Sequence, residues 1–222
     1  MTLKIPFPDR TQAGMALAER LAQDGGWQDA LVLALPRGGV PVAFEVAQRL
    51  ALELDILVVR KLGTPGNREL AMGAIASGGV RVMNEDIVRY VHVSKAEIDG
   101  TVAQEIHELQ RREQAYRGDR PQPVIAGRPV ILVDDGLATG ATMRAAVQAV
   151  RQLGASNITV AVPVAAPESV AQLKRLADRI VCLHLPHDLY AIGRWYENFD
   201  QTSDRQVVEL LQRAWNRGGQ SV

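Results

Sequence analysis

The sequence predicts an α/β fold built on a parallel sheet, because short runs rich in Val, Ile and Leu alternate with longer stretches whose apolar residues recur at helical spacing. The short runs are apolar on successive residues, as strands covered on both faces require. Helix-start signals fall between them. Five candidate strands result, at residues 30–35, 56–60, 130–133, 158–162 and 179–183. Candidate helices cover 13–23, 41–50 with Pro41 at its first position, 94–116, 141–153, 167–177 behind Pro167, and 204–215. The third begins on the capping box formed by Ser94 and Glu97. Residues 117–129, interrupted by glycine and proline, read as a surface connection inside one domain spanning 1–222.

Composition bounds the function. Of 222 residues 47% are hydrophobic, so a sizeable core is available, and 25 basic residues balance 25 acidic ones, which argues against a polyanionic nucleic-acid partner. Cys182, the single cysteine, lies in the apolar run Ile180-Val181-Cys182-Leu183 and reads as a buried structural thiol in a reducing compartment. The opening Met1-Thr2-Leu3-Lys4-Ile5-Pro6 has no signal-peptide character, and no apolar run approaches the roughly 20 residues that span a bilayer. A cytoplasmic protein without a membrane partner is expected.

The most informative segment is Val130-Ile131-Leu132-Val133-Asp134-Asp135-Gly136-Leu137-Ala138-Thr139-Gly140-Ala141-Thr142. A buried strand runs into two carboxylates, and a turn containing Gly and Thr then opens onto a helix. Backbone amides, Thr hydroxyls and the positive end of the helix dipole converge there, which suits a phosphate. The acids ahead of that cradle could hold ribose hydroxyls, directly or through Mg²⁺ with its preference for oxygen and water. A plain turn and helix cap would use the same residue types. Neither a Walker A loop nor GxGxxG occurs.

In these residues the chain resembles the type I phosphoribosyltransferases, whose motif for phosphoribosyl pyrophosphate (PRPP) is a hydrophobic strand, two acids and a Thr-Gly-x-Thr loop. The resemblance implies ribose and Mg²⁺ contacts for Asp134 and Asp135, directly or through water or ribose. It implies 5′-phosphate binding by Ala138, Thr139, Gly140, Ala141 and Thr142. It also implies the fold: a Rossmann-like three-layer core with a parallel sheet of about five strands and a small hood that includes part of residues 185–222. Family members acting on 6-oxopurines commonly carry an acid where Ala138 stands, so the adenine-type loop is nearer. A looser similarity, including Pro-Arg-Gly-Gly and Gly-Arg-Trp-Tyr, joins most of the chain to bacterial phosphoribosyltransferases of unsettled substrate.

Three further segments become candidates. Pro36-Arg37-Gly38-Gly39 follows the first strand; alone it reads equally as a structural turn, while the resemblance makes Arg37, Gly38 and Gly39 a pyrophosphate loop, often with unusual peptide geometry. Arg60 and Lys61 end a strand ahead of Gly, Pro and Asn, composition that suits a mobile loop over 61–70 closing on a polyanion, with Arg68 as a third cation and Glu69 either orienting it or capping. In related transferases such an Arg-Lys pair begins the loop covering PRPP. Tyr190, Trp195 and Tyr196 could form a stacking wall for a planar base, with core packing as the competing reading.

The expected reaction transfers 5-phosphoribose from PRPP to a purine or pyrimidine base, with Arg37, Lys61, Asp134 and Asp135 as the catalytic set. Its transition state is a ribosyl cation departing from pyrophosphate, so charge neutralisation and alignment do the work and no protein nucleophile is needed. His92, His107, His184 and His187 receive no catalytic role. A PRPP- or nucleotide-binding regulator without turnover is the alternative, and a homodimer is compatible with either reading.

Overall fold

The computed structural model describes residues 5–218, the side chains of residues 68, 69, 217 and 218 excepted. A five-stranded parallel sheet takes the order β2 (Glu53–Ile56), β1 (Leu31–Ala34), β6 (Pro129–Val133), β7 (Asn157–Val164), β8 (Arg179–His184). Because successive strand residues face opposite ways, the sheet feeds two cores. Val32, Ala34, Ile131 and Val133 pack with helices α1 (Arg10–Asp24), α2 (Gly39–Leu50) and α7 (Asp204–Gly218). Leu31, Leu33, Val130 and Leu132 pack with α5 (Ala141–Gln152) and α6 (Pro167–Leu173). Each valine, leucine or isoleucine among them, fully buried, contributes roughly 1.5–3 kcal/mol. The three layers match expectation.

A second, antiparallel sheet of β3 (Val59–Thr64), β4 (Asn67–Ala76) and β5 (Val80–Met83) leaves the edge at β2 and is followed by α3 (Glu85–Val91) and α4 (Lys95–Arg117). It corrects two expectations. The apolar stretch 56–60 is not one strand: β2 ends at Ile56, and Val59 already pairs with Ala76 across the new sheet. Residues 61–70 are not an open loop either, since Thr64 pairs with Asn67 around Pro65-Gly66. Proline followed by a glycine at φ +77° is the order a type II turn requires. The Ser94–Glu97 capping box forms as expected. Helix α2 begins two residues before Pro41, which therefore stands third rather than first.

Buried side chains join the layers. Arg117, at the end of α4, donates from Nε and Nη2 to Asp55 Oδ1 on β2 at 3.1 and 3.0 Å, and from Nη2 to the Ile56 carbonyl at 3.2 Å. Burial raises the Asp55 pKa and Arg117 only partly offsets that rise. Near residue 7 and residue 196 two remote segments pair in parallel: Phe7 N–H donates to the Trp195 carbonyl at 2.8 Å, and Glu197 N–H to the Phe7 carbonyl at 2.7 Å.

Candidate functional site

Strand order 2-1-6-7-8 reverses direction between β1 and β6, since β1 leads outward to β2 while β6 leads to β7 and β8 on the other side. Their following helices, α2 and α5, lie on opposite faces, so the two loops diverge and leave a crevice at the strands' carboxyl ends. Residues 35–39 form one wall and 134–140 the other. Leu35 N–H donates to the Val133 carbonyl at 2.9 Å, which sets their spacing.

The walls touch through glycine. A Cβ on Gly38 would lie 2.0 Å from Asp135 Oδ2, and one on Gly39 would lie 2.7 Å from the Val133 carbonyl oxygen and 2.9 Å from Asp134 Cα. Both positions therefore need glycine for close approach. The Pro36–Arg37 peptide is cis. Asp134 Oδ1 accepts from Asp135 N–H at 2.9 Å, and burial first, then the neighbouring Asp135 carboxylate, holds the Asp134 pKa well above the usual carboxylate range. Asp135 is braced from behind: its Oδ2 accepts from Arg10 Nε at 2.8 Å and its carbonyl from the Tyr196 hydroxyl at 2.6 Å. That hydroxyl's pKa is raised by burial and then by Asp135.

Beyond Gly136, Gly140 takes the left-handed conformation at φ +66° and caps α5 without a side-chain hydrogen bond. Thr139, Ala141 and Thr142 are exposed. The loop's carbonyls are held instead: Ser169 Oγ donates to the Ala138 carbonyl at 2.5 Å, and Arg144 Nη1 donates to the Thr139 carbonyl at 2.7 Å and to Gln172 Oε1 at 2.6 Å. With these carbonyls tied back and, among the described residues, only the Ala141 amide of the first turn engaged, by a long 3.4 Å hydrogen bond to Thr139 Oγ1, the helix start presents its positive end outward, the arrangement an anion needs.

A family model described as "Phosphoribosyl transferase domain" matches residues 7–193. The chain belongs to the phosphoribosyl transferase domain family. Two Mycobacterium tuberculosis proteins, named "Putative phosphoribosyl transferase Rv0571c" and "Putative phosphoribosyl transferase MT0597", are each 50% identical to this phosphoribosyl transferase domain over 208 residues, 94% of the chain and 47% of their own length. The chain thus spans about half the length of these curated relatives. The crystal structure of TT1426 from Thermus thermophilus aligns at a TM-score of 0.84 and 45% identity, over 93% of this chain and 98% of that one. The structure of AQ2163 from Aquifex aeolicus shares the fold at 12% identity and a TM-score of 0.51, over 83% and 78% of the two chains.

Not every residue expected at the site comes together. Along β3 consecutive side chains face opposite ways. Arg60 turns toward α4, where Glu105 Oε2 accepts from its Nε at 2.8 Å, whereas Lys61 lines a groove of about 520 Å³ with Thr142 and Arg144. Arg60 and Lys61 do not form one cation pair. Arg37 is half-buried and lies 3.6 Å from Asp204, which also accepts from the Tyr116 hydroxyl at 2.7 Å. The side chains of Arg68 and Glu69 lie outside the described residues.

The aromatic segment divides as well. Tyr196 is core, with its ring 5.6 Å from Phe7 and 5.0 Å from Phe199, so an exposed wall is not its place. Tyr190 is exposed and packs beside Arg194. Trp195 is half-buried against His184, and its indole N–H has no hydrogen-bond partner among the described residues. Ile192 packs on Gly136, where a Cβ would meet its Cγ2 at 2.7 Å, so this segment does sit beside the acids.

Among the described residues no three His, Cys, Asp or Glu side chains converge for a metal. Two adjacent carboxylates still fit Mg²⁺, which takes one or two protein carboxylates and fills its remaining positions with water and substrate phosphate. Asp134 and Asp135 would hold it. Sequence reading missed Arg10, Ser169 and the hydroxyl of Tyr196, whose contacts with the site depend on tertiary pairing, and Arg144, which reaches the Thr139 carbonyl from five residues along the chain.

Proposed function

We propose that this domain transfers 5-phosphoribose from PRPP to a nitrogenous base and releases pyrophosphate, in the cytosol. The observation that carries the reading is the crevice between β1 and β6, where two acids, a glycine pressed onto one of them and an exposed helix start lie in the order that ribose and a 5′-phosphate require. The amides of residues 139–142 would hold the 5′-phosphate, and Asp134 and Asp135 the ribose hydroxyls. Arg37 and Lys61 would take the pyrophosphate. In the reaction the bond from the anomeric carbon to pyrophosphate breaks as the bond to a base nitrogen forms, and that nitrogen loses its proton. Mg²⁺, when bound, supplies neutralising charge for pyrophosphate.

For the base, Trp195 is the better contact of the aromatics, since Tyr196 is committed to Asp135 while the half-buried Trp195 belongs to the segment that packs on Gly136 through Ile192. The antiparallel sheet, with Lys61 on its inner face, would cover the phosphate side. No described helix is long and apolar enough to cross a membrane.

The test is to incubate the protein with PRPP and Mg²⁺, add purine and pyrimidine bases singly, and measure PRPP binding together with pyrophosphate release. Turnover with at least one base is expected. Binding without release for any base would point to a PRPP sensor instead. Asp134→Asn combined with Asp135→Asn should weaken PRPP binding by at least about tenfold, the scale of lost charged hydrogen bonds, with no change in the folded spectrum; unchanged affinity would refute the site.

A further inference from the structure

Arg10 stands at the start of α1, 125 residues from the acid it touches. Its side chain is 12% exposed and that of Asp135 15%. Three anchors fix the guanidinium: Nε donates to Asp135 Oδ2 at 2.8 Å, Nη1 donates to the Asp200 carbonyl at 2.7 Å, and Cζ lies 3.8 Å from the centre of the Phe199 ring. A planar fork stacked on an aromatic ring and hydrogen-bonded at both edges is an arrangement that lysine cannot reproduce. Gly38 closes on the same Oδ2 from the opposite wall. One oxygen of Asp135 is thereby enclosed, while Oδ1 carries no hydrogen bond among the described residues.

We infer that Arg10 is a positioning residue that divides Asp135 between two duties. By fixing Oδ2 it orients Oδ1 for a ribose hydroxyl, and by its charge it opposes divalent-cation binding at the acid pair. This rests on the transferase reading of the crevice. Orientation and charge then have opposite consequences for two separable ligands. A neutral hydroxyl gains from a carboxylate held in one rotamer, because the ordering cost is already met. A bare cation gains from the removal of a positive charge a few ångströms away. Loss of Arg10 through general structural damage would weaken both.

The probes are Mn²⁺ alone, followed by electron paramagnetic resonance of the free ion, and ribose 5-phosphate alone, followed by calorimetry. Wild type, Arg10→Gln and Arg10→Lys are compared, with near-ultraviolet circular dichroism to establish that each is folded. Arg10→Gln is expected to bind Mn²⁺ about tenfold more tightly, the effect of one partly buried charge, and ribose 5-phosphate about fivefold more weakly, the effect of one misdirected hydrogen bond. Arg10→Lys keeps the charge and loses the fork, so Mn²⁺ affinity should stay at the wild-type value while ribose 5-phosphate binding weakens.

Parallel weakening of both ligands in Arg10→Gln, or no change in either, overturns the inference. If Arg10→Gln does not fold, Arg10→Lys decides: unchanged ribose 5-phosphate affinity or altered Mn²⁺ affinity overturns it. Wild-type protein that binds neither probe refutes the crevice as a sugar-phosphate site and this role with it. Wild-type protein that binds both, with variants that miss the opposed pattern, refutes Arg10 alone.

Discussion

Gly38→Ala and Gly39→Ala make the same chemical change at adjacent residues and should fail in different ways. At Gly38 the atoms nearest the added methyl all belong to the Asp135 side chain, with Oδ2 at 2.0 Å and Cγ at 2.6 Å. Ordinary contact begins near 3.4 Å, so the carboxylate must retreat by about 1.4 Å. A displacement of that size cannot keep the present geometry between Oδ2 and Arg10 Nε, now at 2.8 Å. The lost partly buried pair costs on the order of 1 kcal/mol. Alanine in place of glycine returns roughly 0.4–1 kcal/mol by restricting the unfolded chain, because φ at Gly38 is −61° and alanine accepts it. Stability should be nearly unchanged while ribose 5-phosphate binding collapses.

At Gly39 the methyl meets backbone, at 2.7 Å from the Val133 carbonyl oxygen and 2.9 Å from Asp134 Cα. No rotamer can relieve that, so the end of β6 must part from the loop after β1. Overpacking of this kind costs about 1–3 kcal/mol, which at about 2–4 °C per kcal/mol for a chain of this size lowers Tm by roughly 2–12 °C. Thermal unfolding and calorimetry with ribose 5-phosphate read the two effects separately. If Gly38→Ala lowers Tm as much as Gly39→Ala, or still binds the sugar phosphate at wild-type affinity, the claim that Asp135 is positioned by contact with Gly38 is wrong.

Two other perturbations test the scaffold. Arg117→Met leaves Asp55 buried without its partner and should cost about 3–5 kcal/mol, read by urea unfolding at pH 7. Desolvation then raises the Asp55 pKa further, so the deficit should shrink as pH falls toward the usual carboxylate range and widen as pH rises; Asp55→Leu with Arg117→Met should recover most of it, and a single-variant loss independent of pH would refute the account. Burial pushes the Cys182 thiol from 9.0 up to about 11. Its contribution to stability is therefore complete below pH 9 and lost as pH rises toward 11, and iodoacetamide labelling of the folded protein should keep accelerating from pH 8 to pH 10 rather than level off near pH 9.

What could be read from the chain alone follows from how local each signal is. The parallel strands were legible because a strand covered on both faces is apolar at every position, and the acids, glycine and helix start between Val133 and Thr142 are contiguous. The stretch Ile56-Leu57-Val58-Val59 was not, because an unbroken apolar run carries no period to show that one strand ends and another begins inside it. Strand β4 was hidden by small residues, Ala71, Gly73, Ala74 and Ala76, that read as turn-rich but pair closely in an antiparallel sheet. Arg60 and Lys61 look like a pair in sequence and are separated by the pleat. Arg10, Ser169 and Tyr196 act on the crevice through contacts spanning 125, 31 and 61 residues, and no local pattern marks such contacts.

The pairing of residue 7 with residue 196 bears on when the crevice comes into being during synthesis. Strands β1 and β6 and the loop carrying Asp134 and Asp135 leave the ribosome well before Tyr196 does. Until that tyrosine and the Phe7–Arg10 segment meet, the Asp135 carbonyl and carboxylate lack both of their supports. Closing a loop of that span is a late step, since its entropy must be met before the contact rewards it. A nascent chain therefore carries the acids for some time without the geometry that would let them hold a ligand, and acquires it only when the start of α1 and the aromatic segment around Tyr196 are joined.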